Sequence, residues 1–99
     1  MIKFSPESPL FKIGSEGKVT CLVDNPSRVN QIIWFKNGVK LQTNEKYVVE
    51  SSVLSVLNVN SNDGGKYVCK MNVGQSFVSK SVNVKVIGKK RVKIQKYLF

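Results

Sequence analysis

The 99-residue chain has no histidine, only six acidic side chains, two cysteines and one tryptophan. Without an imidazole base, and with its few carboxylates scattered along the sequence, an enzyme reading has little to stand on. Gly64-Gly65 is followed by neither a second glycine pair nor a helix, which removes a phosphate-cradling loop. Asn58, Asn60, Asn62, Asp63 and Gly64 place polar side chains as a calcium loop does, but the glycine falls one place late. Cys69 stands where a bidentate glutamate is needed, and one carboxylate is too little charge for a hard cation. No metal and no cofactor is expected. No apolar run reaches membrane-spanning length. The single Asn-x-Ser pattern, Asn25-Pro26-Ser27, is blocked as a glycan acceptor by its proline.

What is present suits one small domain. Ninety-nine residues, 41% of them apolar, can bury one modest core and leave no room for a second, so binding or structural roles lead. Sixteen Lys and Arg give a net charge of +10, a field that draws anionic partners. Lys89, Lys90, Arg91, Lys93 and Lys96 concentrate five positive charges in the last eleven residues. Residues 1–88 hold eleven basic and six acidic side chains, leaving +5. The opening Met1-Ile2-Lys3-Phe4 runs at once into Ser5, Pro6, Glu7 and Ser8 and supplies no apolar h-region. An extracellular chain of this kind would have lost its signal, and the sequence reads as a piece of a larger protein.

Cys21 and Cys69 lie 48 residues apart, far from any C-x-x-C redox or zinc spacing. Each sits within an alternating apolar segment, Val19-Cys21-Val23 and Tyr67-Cys69-Met71, that points its sulfur into a core. A bond between them would stabilise the fold by about 4 kcal/mol in the chain-entropy account. The other reading is a pair of reduced, buried thiols in a cytosolic protein.

No helical stripe runs through the chain, and short β-branched segments recur between Gly, Asn, Asp and Pro. Strands are predicted at 18–23, 31–36, 47–50, 53–59, 65–72 and 76–87. A split first strand is expected at Phe4 and at 10–13, broken by Pro6 and Pro9. Asn37-Gly38 is the strongest hairpin signal, since both residues tolerate positive φ.

Cys21, Trp34 thirteen residues on, and then Leu54-x-Val56-x-x-Val59-x-x-x-Asp63-x-Gly65-x-Tyr67-x-Cys69 together resemble the immunoglobulin superfamily, its intermediate (I-set) type in particular, over residues 10–87. Trp34-Phe35-Lys36-Asn37-Gly38 and Lys46-Tyr47-Val48-Val49 are similar to segments of neural adhesion molecules of the NCAM and fasciclin type. The resemblance implies an all-β, immunoglobulin-like β-sandwich of two antiparallel sheets with Greek-key connections. It implies a Cys21–Cys69 disulfide covered by Trp34, and a Tyr67 hydroxyl bonded to backbone near Asn60 to Asp63. Asp63 is expected to pair with Lys46, where the family more often has arginine, and Gly65 to relieve crowding at the corner. The twelve residues between Trp34 and Tyr47 leave no room for the extra strands of a variable domain.

The resemblance further implies a non-catalytic binding module of a secreted or cell-surface adhesion or receptor protein, with a protein partner recognised homophilically or heterophilically. The same strand grammar serves structural domains of intracellular muscle or cytoskeletal proteins, and a secreted decoy or a heparan-sulfate-binding receptor domain would look alike. Strand alternation puts Ile33, Phe35, Val68, Lys70 and Phe77 on one outer face, an apolar centre with lysines around it. The domain is expected to span 1–88 and a basic tail or linker 89–99. That tail reads as a linker into a following domain, as a patch for heparan sulfate or acidic membrane, or as a strand that adds to a sheet edge. Nucleic acid is disfavoured, because only Tyr97 and Phe99 stand near the charge as stacking groups. If the tail binds polyanions, a chain ending at Gly88 will leave heparin at distinctly lower salt than the full chain; identical elution rejects that reading.

Overall fold

The computed structural model describes residues 2–88, and the basic tail lies outside the described residues. Two sheets face each other. One has the order β1-β3-β7-β6, made of Ile2–Ser5, Gly17–Val23, Val53–Val56 and Tyr47–Glu50. The other has the order β2-β9-β8-β4-β5, made of Leu10–Lys12, Ser76–Ile87, Gly65–Val73, Val29–Lys36 and Val39–Lys40. Short 3₁₀ turns at Pro26–Arg28 and Ser61–Asp63 supply the remaining regular structure.

The first strand is split as its prolines dictate. β1 runs antiparallel to β3, the chain breaks over the cis Ser5–Pro6 bond, and β2 then pairs with β9 in the other sheet. The β2–β9 pairing is parallel, an exception to the antiparallel order expected throughout. β2 covers only Lys85 to Ile87, and Lys80 turns inward farther along β9 to donate from Nζ to the Ile2 carbonyl at 3.2 Å.

The expected strands keep their bounds to within two residues, with one exception, and one further strand appears. The segment expected to run from 53 to 59 ends at Val56, because Lys46 reaches over to hold the Leu57 and Asn58 carbonyls and Asn58 takes a φ of 48°. Between Trp34 and Tyr47, a two-residue strand does form: Asn37 (φ 52°) and Gly38 (φ 80°) fold the chain straight back, pairing Lys36 with Val39 and Phe35 with Lys40.

The core fills the seam between the sheets. Trp34 lies opposite Cys69 in the β4–β8 ladder, and Cys69 is bonded to Cys21 of β3 with the Cα atoms 6.6 Å apart. Both sulfurs and the indole are buried, Phe4 packs 6.2 Å from the Trp34 ring, and the indole N–H donates to the Ser51 carbonyl at 3.3 Å. Leu54, Val56, Val59, Met71, Val82 and Val84 complete the layer. Gly17 is buried beneath Phe11, whose ring covers the place a Cβ would take.

Below this seam, Asp63 organises the turn into β8. Its carboxylate is buried, accepts from the Asn60 N–H at 2.8 Å, and faces Lys46 Nζ at 2.7 Å. Lys46 gives its other two protons to the Leu57 and Asn58 carbonyls at 3.1 and 3.3 Å, so a single ammonium satisfies three acceptors. The Tyr67 hydroxyl, fully buried, donates to the Asp63 carbonyl at 2.6 Å. Gly65 needs a different explanation from the crowding expected of it. A Cβ there would meet nothing within 4 Å, and it is the φ of +125° that calls for glycine.

Two predictions follow from this corner. Lys46→Ala strands a buried carboxylate and should cost about 3 kcal/mol in urea unfolding, with Lys46→Met no better, because each removes the counter-charge. The Tyr67 hydroxyl is held well above the usual tyrosine range by burial first, then by Tyr47 and Asp63. Its neutral form is therefore favoured in the folded state. Above about pH 10 the unfolded chain loses this proton while the folded chain keeps it, so stability falls as pH rises from there. Tyr67→Phe should flatten that alkaline loss while lowering stability at pH 7 by about 1–3 kcal/mol for the lost hydrogen bond.

Candidate functional site

The outward face of the β2-β9-β8-β4-β5 sheet follows from strand register. With Trp34, Cys69, Tyr67, Met71, Val82 and Val84 turned inward, the alternate residues must point to solvent. Phe35, Val68 and Ser81 form one row across β4, β8 and β9. Ile33, Lys70 and Ser79 form the next, and Gln31, Asn72 and Phe77 the one beyond. Ile33, Phe35, Val68 and Lys70 are half-buried, their flanks covered by cross-strand neighbours.

Phe77 stands apart from that centre. It is 62% exposed, sits beside the turn joining β8 to β9, and is separated from Ile33 and Phe35 by Lys70. The Lys70 ammonium rests 4.6 Å from the centre of the Phe77 ring, a cation–π contact that fixes both groups over the sheet. The apolar centre is thus Ile33, Phe35 and Val68, with Phe77 as an outlying aromatic.

Sequence reasoning missed several members of this face. The strand at 10–13 is expected but its partner is not, and β5 is too short to announce itself by alternation; the β2 register sets Leu10 and Lys12 beside Lys85 and Ile87, and β5 sets Lys40 beside Phe35. Leu10 is 58% and Ile87 40% exposed. The signal that could have found Lys40 is the Asn37-Gly38 turn, which fixes a two-residue register back onto β4.

Among the remaining sequence-selected positions, Cys21, Cys69, Trp34, Leu54, Asp63 and Tyr67 are buried, and Gly65 lies at the start of β8. All belong to the frame beneath the face. Lys89, Lys90, Arg91, Lys93 and Lys96 fall outside the described residues. A hollow between β1 and β9 is lined by Lys3, Phe4, Glu7, Ser8 and Lys80, and a second, more apolar one by Leu22, Val23, Pro26, Val29 and Ile32. Glu7 is the single acid in the first, and the second has no titratable side chain.

Comparison with known proteins places this geometry. The chain is 26% identical over 88 residues to the neuronal cell adhesion molecule of Gallus gallus, covering 88% of this chain and 7% of that protein. It is 33% identical over 67 residues to fasciclin-2 of Schistocerca americana, covering 67% of this chain and again 7% of that one. This chain therefore spans less than a tenth of either relative. The N-terminal Ig1-2 module of the Drosophila receptor protein tyrosine phosphatase DLAR superposes with a TM-score of 0.66 at 26% identity, over 80% of this chain and 41% of that one. The M1 domain of titin superposes with a TM-score of 0.68 over 92% of this chain and 97% of its own, and at 22% identity this likeness speaks to fold alone. A family model described as an immunoglobulin domain matches residues 1–72, and with the Trp34-backed disulfide bridging its two sheets the chain belongs to the immunoglobulin domain family.

Proposed function

We propose that this domain is a non-catalytic recognition module of an extracellular adhesion or receptor protein, and that it binds a protein partner through the outward face of the five-stranded sheet. The observation that carries this reading is the half-buried centre of Ile33, Phe35 and Val68 laid across two paired strands and ringed by lysine. A hydrophobic centre inside a charged rim gains most when another protein excludes water from it. The likeness to adhesion proteins supports the same reading.

The structural role in an intracellular filament protein is the competing reading, supported by fold likeness to titin. The Cys21–Cys69 bond favours the extracellular side, since such bonds persist where the surroundings are oxidising. A thiol titration in denaturant without reductant, on protein from its native source, should find no free thiol. Two free thiols would move the domain to the intracellular class.

The face itself is tested by Phe35→Glu and Val68→Glu. Both side chains point away from the core, so folding should survive with Tm within a few degrees of the parent. Binding of a tetramerised domain to cells of the source tissue should fall by at least about tenfold, the effect of removing a central anchor. Unchanged binding places the recognition surface elsewhere.

A further inference from the structure

Lysines lie on both sheets, but the strands of the five-stranded sheet carry no acid, and that one-sided charge selects the kind of partner. The outward face carries Lys12, Lys40, Lys66, Lys70 and Lys85, set there by the registers of β2, β5, β8 and β9. No acid lies on any of the five strands of that sheet. Glu7 is in the break between β1 and β2, Glu16 in the turn before β3, and Asp24 just after β3. Glu45 precedes β6 and Glu50 ends it, both in the other sheet's region, and Asp63 is buried against Lys46.

Resting on the reading that this face binds protein, we infer that its partner is a different protein presenting carboxylates around an apolar contact, and that the face does not pair with a second copy of itself. In a two-fold face-to-face dimer each patch meets its own image, which here sets five lysines against five lysines with no carboxylate between them. Like charges brought together with water excluded oppose association, whereas an acidic surface gains from every one of these contacts. The apolar centre argues for protein over a sulfated glycan. A glycan chain would satisfy the lysines but leave Ile33, Phe35 and Val68 without an apolar counterpart, and their half-buried surface gains only from a partner that supplies one. Lys70 rests over the Phe77 ring, which keeps its ammonium above the sheet where a partner's carboxylate would meet it.

The test uses the full 99-residue chain with Lys89, Lys90, Arg91, Lys93 and Lys96 replaced by serine, so that tail charge does not dominate. A phage-displayed library of random 16-residue peptides is selected against this bait, and the bait is sedimented at 50 and 150 mM salt. The expected result is a monomer at both salts and enriched peptides with Asp or Glu on either side of an aliphatic or aromatic residue. Their affinity should fall at least about tenfold for Lys66→Glu/Lys70→Glu, and again for Phe35→Glu, with steep weakening between the two salts. Peptides that lose binding to Phe35→Glu but are indifferent to the lysine reversals would overturn the acidic-partner inference while keeping the face. Peptides indifferent to both would overturn the face as well. A dimer dissolved by Phe35→Glu, or heparin retention that the lysine reversals abolish and Phe35→Glu leaves intact while no peptide is enriched, would each overturn the inference.

Discussion

Everything in this domain hangs on the bond between two cysteines placed on opposite sheets. A sandwich of short strands offers little local stability, because each ladder is a handful of hydrogen bonds and each sheet must bury one side to persist. Cys21 and Cys69 tie β3 to β8 at mid-height, and Trp34, across the ladder from Cys69, fills the volume beside the bond. Once those three residues are fixed, the inward parity of β3, β4 and β8 is fixed with them. The outward residues of β4 and β8 are then also determined, so the face proposed for recognition is a direct consequence of the core it covers.

The corner at Asp63 does complementary work at the sandwich's lower end. A buried carboxylate could only be kept there with its charge answered, and Lys46 answers it while also gathering two carbonyls that the chain exposes after β7. Arginine would offer a planar fork, but this site presents one carboxylate oxygen and two carbonyls in different directions. A rotatable ammonium suits that arrangement.

The long strands were legible because every second residue of each is apolar. Val19, Cys21 and Val23, and Tyr67, Cys69 and Met71, mark the inward side despite the apolar Leu22 and Val68 between them, and the structure packs that side into the core. The Cys21, Trp34 and Tyr67 spacings carried the fold further than periodicity could. Short elements escaped, since two residues such as Val39 and Lys40 hold no period and their pairing depends on the turn before them. Phe77 stands on the outer face that alternation gives it, but away from the centre. Parity gives a side of the sheet but not a distance along it, and only the count of residues through the turn at Gly74 shows that Lys70 intervenes. Gly65 shows the limit in another form, because a required φ and a crowded Cβ leave the same letter in the sequence.

The inward turn of Lys80 has a consequence for the domain's solution behaviour. From Ser76 to Ser81 the outer rim of β9 has no partner strand among the described residues, and an open rim of that length invites templated aggregation with other chains. A strand arriving there would crowd the Lys80 ammonium and disturb its bond to the Ile2 carbonyl. One lysine thus guards the open rim of an incomplete sheet while the broad face beside it stays uncovered.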